Sequence, residues 1–333
     1  MNKLKPLPEE WSGLLNNEQK EAIENINGPL LIIAGAGSGK TRVLTYRYAH
    51  LIKTYGINFE NVLAITFTNK AANEMKDRIS DLLNLELSPK WISTFHSLCV
   101  KMLRIHGHLI GFNNNFTIYD QSDSTKLVRN CMRDSDIDTK QYSPKRIQAH
   151  ISSLKNQRIL PGEAVEFAQS FFDVKVAEIY SSYQKKLMLA NSMDFDDLLI
   201  KAVELLETSD KSLNYWSSKF QYIMIDEYQD TNMVQYRLVE LLASKHKNIC
   251  VVGDSDQSIY AFRGADIRNI EEFESDFKDA KVISLEKNYR SSQKILDIAN
   301  AVISNNPRKK DKKLWTDNDE GLDVNLVEFN SER

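Results

Sequence analysis

The chain has 333 residues, room for two or three domains with substantial cores, and its 42% apolar and 27% charged residues are those of an ordinary soluble globular protein. A net charge of −3 excludes a globally basic nucleic-acid binder, so any polyanion must be held in a local groove. Cys99, Cys131 and Cys250 lie far apart, with no metal-ligand or redox spacing, which reads as buried thiols in a reducing cytoplasm.

The opening MNKLKPLPEEW lacks the apolar core of a signal peptide, and no later run approaches membrane-spanning length. A soluble, intracellular, cytoplasmic protein without a membrane partner is therefore expected. Residues 1–28 are polar and read as helical, with Asn17 as the cap of a helix carrying Gln19, Ala22 and Ile23. Leu30 to Ile33 form an apolar run that reads as a buried strand and stops at a glycine-rich turn. Leu44, Tyr48, Leu51 and Ile52 then share a helical face, predicting a helix of about three turns. Val62 to Ile65 read as a second strand, Ala72, Met75, Ile79, Leu82 and Leu83 as a helix, and Trp91 to Thr94 as a third strand leading into a helix through Leu98 and Met102. Such alternation predicts a parallel sheet covered on both faces.

From about Gly111 to Leu189 the alternation stops, and the apolar residues follow helical periods, predicting a helical insertion. Strand patterns resume at Tyr222 to Ile225, Ile249 to Val252 and Val282 to Leu285, so the sheet is interrupted in sequence and continuous in space. The basic cluster Arg308-Lys309-Lys310-Asp311-Lys312-Lys313 reads as a solvated loop in preference to a nucleic-acid contact.

Chemistry concentrates where these strands end. Ala34-Gly35-Ala36-Gly37-Ser38-Gly39-Lys40-Thr41 lies between a strand and a helix. Its glycines let successive backbone N–H groups and a helix N-terminus face one anionic site, Lys40 adds a mobile positive charge, and Thr41 offers a hydroxyl to magnesium. Ala34 stands where the usual pattern begins with glycine. A glycine-rich hairpin turn is the plain alternative, and the flanking strand, helix and Lys-Thr pair argue against it. Asp226-Glu227 ends the strand Tyr222 to Ile225; the aspartate can hold the same magnesium and the glutamate can activate water. The next strand ends in Gly253-Asp254-Ser255-Asp256-Gln257, where Gln257 can sense a γ-phosphate, with Tyr260, Phe262 and Arg263 close behind as a mixture suited to stacking on unpaired bases.

Seven segments then resemble, in order, the motifs of the UvrD/Rep/PcrA helicases: AGAGSGKT (34–41), ITFTNKAANEM (65–75), WISTFHS (91–97), DFDDL (194–198), IDEYQDT (225–231), VGDSDQSIYAFRGAD (252–266) and LEKNYRS (285–291). The match runs from about Leu15 to Trp315, and that family commonly has alanine at the place of Ala34. The resemblance implies an α/β fold: a RecA-like, parallel-sheet P-loop ATPase domain in two parts, 1–110 and 198–284, an inserted all-helical subdomain at 111–197, and the truncated beginning of a second RecA-like domain at 285–333.

By resemblance the activity is that of a superfamily 1 helicase using ATP and Mg2+ to move 3′ to 5′ along single-stranded DNA and act at duplex junctions, in repair or replication and with proteins of those processes. Gln19 and Arg42 would recognise the adenine edge, Tyr289 would stack on the base, Arg290 would serve as an arginine finger, and Gln257 would couple the γ-phosphate to the DNA groove. Thr66, Phe67, Asn69, His96, Tyr260, Phe262 and Arg263 would line the strand's path. Phe262 stands where the family often has tryptophan, which implies weaker base stacking. Without most of the second domain, the chain is expected to bind nucleotide, hydrolyse ATP poorly and not unwind DNA. Alternative readings are an ATP-gated DNA- or partner-binding module without motor activity, and the motor subunit of a helicase–nuclease complex. A GTPase, suggested only by Asn69-Lys70, lacks the aspartate that would follow.

Overall fold

The computed structural model describes residues 4–85, 89–261, 264–306, 312–325 and 327–328. Among these, the strands are β1 (Leu30–Ala34), β2 (Val62–Thr66), β3 (Ile92–Thr94), β4 (Thr117–Tyr119), β5 (Ser192–Asp194), β6 (Tyr222–Ile225), β7 (Ile249–Gly253) and β8 (Lys281–Leu285). Six of them form one sheet in the order β3-β2-β6-β7-β1-β8, with every pairing parallel.

Side-chain alternation explains why these runs are apolar throughout. Leu31 and Ile33 of β1 join Leu63, Ile65, Ile223, Ile225 and Val251 in one core under the helices Phe95–His106, Phe195–Thr208 and Met233–Ala243. Leu30 and Ile32 join Val62, Ala64, Met224, Cys250 and Val252 in a second core under the helices Lys40–Lys53 and Asn69–Leu83. Both faces of the inner strands are thus buried, so β1, β2, β6 and β7 read as nearly continuous apolar runs, whereas the edge strand β8 keeps Lys281 and Ser284 exposed.

Two local expectations are corrected. The first long helix is Asn17–Glu24, and its cap is Asn16, not Asn17. Asn16 Oδ1 accepts the Gln19 N–H at 2.8 Å while Gln19 Oε1 accepts the Asn16 N–H at 3.2 Å, so the reciprocal pairing selects the earlier asparagine. The helix after the glycine-rich turn has 14 residues, which is nearly four turns at about 3.6 residues each.

The insertion is built from the helices Gln121–Asp134, Pro144–Asn156 and Phe171–Leu189 around a core of their own, including Val128, Ile147, Ile151, Ile179 and Leu187. At its root β4 and β5 pair in parallel, Thr117 beside Ser192 and Tyr119 beside Asp194. Three-residue strands are too short to reveal a period of two, so helical patterning alone did not disclose them. Just beside this ladder the Lys155 ammonium is fully buried, 2.7 Å from Asp194 and 2.8 Å from Asp197. Burial alone would lower its pKa; the carboxylates of Asp197 and Asp194 outweigh that and hold it above its ordinary value.

Cys99, Cys131 and Cys250 are buried free thiols, as expected. Among the described residues no helix is long and apolar enough to cross a membrane.

Candidate functional site

The sheet order sets β6, β7, β1 and β8 side by side, so the loops leaving their C-terminal ends share one edge, where ligands of open parallel sheets bind. The loop after β1 reaches the helix at Lys40 through Gly37, φ +70°, and Gly39, φ +89°, positions that glycine adopts without strain. Space demands glycine as well: a Cβ on Gly37 would lie 2.6 Å from the Asn288 amide, and one on Gly35 would lie 2.2 Å from Leu314 Cδ2. The Ser38 hydroxyl braces the turn by donating to the Gly35 carbonyl at 2.7 Å.

Two further strand ends, those of β6 and β7, converge on this loop. Thr41 Oγ1 donates to Asp226 Oδ2 at 3.2 Å. Lys40 Nζ lies 3.1 Å from Glu227 Oε2 and donates to Gln257 Oε1 at 3.4 Å. Burial, reinforced by the neighbouring Glu227, pushes the Asp226 carboxyl up to about 6, against the pull of Lys40 and the Thr41 hydroxyl. Glu227 has φ +52°, a left-handed conformation that costs a non-glycine residue energy and concentrates at functional sites. Among the described residues no group of three or more His, Cys, Asp or Glu side chains is placed to hold a metal ion by itself. The Thr41–Asp226 pair instead fits the sparse protein share that Mg2+ takes when phosphates and waters supply the rest.

The remaining residues expected to meet nucleotide lie around the loop. Gln19 is buried beneath it, with Nε2 donating to the Ser38 carbonyl at 3.0 Å. The Arg42 guanidinium lies 5.6 Å from the centre of the Tyr46 ring. Tyr289 donates its backbone N–H to Gly37 O at 2.9 Å and keeps a half-exposed ring. Arg290 is exposed, its N–H held by Asn288 Oδ1 at 2.8 Å.

A cleft of about 970 Å³ opens beside this edge, between the sheet domain and the insertion. Phe67, His96 and Tyr260 line one side, and Gln148, Ser152 and Asn156 the other. The Phe67 and Tyr260 rings stack with centroids 5.2 Å apart, and His96 meets the exposed Phe195 edge-on at 6.0 Å. Thr66 and Asn69 are not among the lining residues: Thr66 is buried with its hydroxyl on the Thr68 carbonyl, and Asn69 opens a helix at the surface. Phe262 and Arg263 lie outside the described residues.

Several side chains given no role from the sequence hold the site together. Gln229, almost fully buried, donates Nε2 to Glu227 at 2.9 Å and to Asp230 at 3.3 Å, and its Oε1 accepts the Asp254 N–H at 3.0 Å. It ties the loop after β6 to the loop after β7, and Asp230 itself lines the cleft. Asn288 donates to the Ala36 carbonyl at 2.6 Å. Both fall inside the resembling segments 225–231 and 285–291, but an amide a few residues beyond a strand end is too common to single out within them. The basic tail is also corrected in part. Arg308 to Asp311 lie outside the described residues, whereas the Lys312 side chain is 6% exposed and paired with Asp254 and Asp256 instead of solvated.

The model of the UvrD/REP helicase N-terminal domain matches residues 15–278, and that of the UvrD-like helicase C-terminal domain matches residues 283–333. The chain is 50% identical over 319 residues to a protein of Staphylococcus aureus (strain COL) named ATP-dependent DNA helicase PcrA, and this covers 96% of the chain and 44% of that relative. A protein of the same name from Staphylococcus epidermidis (strain ATCC 12228) is 49% identical over 319 residues, with the same coverage. The chain thus spans less than half the length of these curated relatives. From its matched domain models and its six-stranded parallel sheet, the chain belongs to the UvrD/REP helicase family.

Proposed function

We propose that this chain supplies the nucleotide-binding part of an ATP-dependent DNA helicase that moves 3′ to 5′ along single-stranded DNA and works at duplex junctions in the cytoplasm, in repair or replication. The observation that carries the reading is the meeting of Lys40, Thr41, Asp226, Glu227 and Gln257 across three strand ends, through the pairs Lys40–Glu227 at 3.1 Å, Thr41–Asp226 at 3.2 Å and Lys40–Gln257 at 3.4 Å. We divide the chain into a RecA-like domain at 1–110 and 198–284, an inserted subdomain at 111–197 and the start of a second RecA-like domain at 285–333.

ATP with Mg2+ supplies a phosphoryl group activated for attack by water. Thr41 and Asp226 hold the metal, and the loop from Ala34 to Gly39 wraps the phosphates. Lys40 now neutralises Glu227 and touches Gln257; turning toward phosphate, it frees the Glu227 carboxylate to take a proton from water and leaves Gln257 to read the γ-phosphate. Gln19, Arg42 and Tyr289 receive the adenine, and Arg290 reaches the transferring phosphate. Phe67, His96 and Tyr260, which line the cleft, form the single-strand path, where aromatic faces stack on bases without regard to sequence.

Single-strand-stimulated ATP hydrolysis and strand displacement by the full-length protein test this reading. Glu227→Gln is expected to lower turnover by about 10²- to 10⁴-fold while ATP still binds; loss of ATP binding instead would show the glutamate's role to be wrongly assigned. The 333-residue chain alone is expected to bind nucleotide, hydrolyse it slowly and not unwind duplex.

A further inference from the structure

Lys312 stands in a charged run whose natural place is solvent, yet its ammonium is buried against Asp254 and lies 3.0 Å from Asp256. Asp254 organises the turn after β7. Its Oδ1 accepts the Asp256 N–H at 3.0 Å as well as the Lys312 ammonium, and its Oδ2 accepts Gln257 Nε2 at 2.5 Å. Gln257 Oε1 in turn takes Lys40 Nζ at 3.4 Å. A continuous polar chain therefore runs from Lys40 through Gln257 and Asp254 to Lys312.

The segment around Lys312 leads directly to the other phosphate-facing loop. Leu314 packs where a Cβ of Gly35 would stand. Trp315 donates its N–H to Glu286 O at 3.2 Å and accepts the Asn288 N–H at 2.7 Å, and Asn288 reaches the Ala36 carbonyl. One stretch of chain thus touches the loop after β1 by packing and the loop after β7 by charge. Packing and backbone pairing would hold the stretch without any cation at Asp254. Burying an ammonium between carboxylates costs desolvation that a solvated lysine avoids, and such pairs are best attested where they fix one arrangement among alternatives.

We propose that Lys312 is a positioning residue: it fixes Asp254, and through it Gln257, relative to the segment that follows β8, so that phosphate capture by Lys40 is transmitted to that segment. This rests on Gln257 reading the γ-phosphate, as proposed above. When Lys40 leaves Gln257 Oε1, the carboxamide keeps its Nε2 contact only if Asp254 holds still, and the Lys312 ammonium, together with the Asp256 N–H, anchors the opposite oxygen of that carboxylate.

The test measures single-stranded DNA affinity of the full-length protein with and without a non-hydrolysable ATP analogue, together with affinity for the analogue itself. In Lys312→Met the analogue is expected to bind within about twofold of the parent, because Lys312 faces the turn and not the phosphates. The analogue-induced change in DNA affinity, typically about 5- to 150-fold for coupled sites, should fall below about twofold, and Lys312→Arg should restore it. A lowered melting temperature with the DNA ratio intact overturns the proposal and leaves a merely structural ion pair. Gln257→Ala separates the layers. If it abolishes the ratio while Lys312→Met does not, the Lys312 proposal alone falls; if it leaves the ratio intact, the sensor reading falls and the proposal with it. Should Lys312→Met not fold, Asp254→Asn neutralises the carboxylate that Lys312 anchors, and an unchanged ratio there overturns the proposal just as well.

Discussion

The Thr41 hydroxyl donates to the Asp226 carboxylate at 3.2 Å, joining the first helical turn after β1 to the end of β6. That carboxyl is held at about 6, chiefly by burial, so folding disfavours its ionised form. Its contribution to stability is fully present below the ordinary carboxylate range near 3.8 and is lost as pH rises through about 6. Near pH 8 the cost is on the order of 2–3 kcal/mol. Asp226→Asn is therefore expected to stabilise the nucleotide-free protein by about 1–3 kcal/mol at pH 8, with the gain shrinking toward pH 4. Urea melts at both pH values check this, and a variant less stable than the parent at pH 8 contradicts it.

Phe67 and Tyr260 stack on each other at the mouth of the cleft. Replacing either with alanine should weaken single-stranded DNA binding by about 1–3 kcal/mol, with the double variant losing less than the sum because the rings share one stack. ATP affinity should not change. The salt dependence of DNA binding should keep its slope, since that slope counts phosphate contacts and not stacked bases. Fluorescence anisotropy titrations at several salt concentrations measure both quantities.

Lys155 is closed off from solvent by Asp194, Asp197 and the Tyr183 hydroxyl, which donates to Asp194 at 2.8 Å. Lys155→Met strands two buried carboxylates and should cost about 3–5 kcal/mol. Adding Asp197→Asn should recover part of the loss, because Asp197, pushed up to about 6 by burial and by Asp194, is the acid more readily rendered neutral. Denaturant unfolding of the two variants tests this; no recovery in the double variant would mean that the loss comes from packing alone.

Gly253 closes β7 against Gln229: a Cβ there would lie 2.7 Å from Ile270 Cδ1 and 2.8 Å from Gln229 Oε1. Gly253→Ala is expected to cost about 1–3 kcal/mol as an overpacked site and to lower ATP turnover by displacing Gln229 from Glu227. Unimpaired hydrolysis in a folded Gly253→Ala protein would remove Gln229 from the proposed machinery.

What was legible in the chain were groups whose position follows from local pattern. The apolar runs gave the sheet strands, and Lys40, Thr41, Asp226, Glu227 and Gln257 sit in the turns that leave strand ends or at the start of the helix that follows, where parallel topology must bring them to one edge. Residues that act through distant partners left no such trace. Gln229, Asn288, Lys312 and Leu314 owe their importance to neighbours in other loops, and nothing adjacent in sequence marks an amide, a lysine or a leucine for that work. Asn16 outcompeted Asn17 by reciprocal pairing with Gln19, which composition could not rank. Thr66, counted with the cleft by resemblance, turns inward to cap its own turn, a choice made by backbone geometry.

The parallel pairing of β4 with β5 bears on how the chain finds its fold. The central sheet closes only when β2 meets β6, Val62 beside Tyr222, a contact between distant parts of the chain and therefore a slow one. The insertion's helices possess a separate core, so they are expected to organise first. In doing so they seat Thr117 beside Ser192, drawing the two halves of the sheet domain together and shortening the loop that β6 must still close. A segment that interrupts the parent domain in sequence would thus act during folding as its splint.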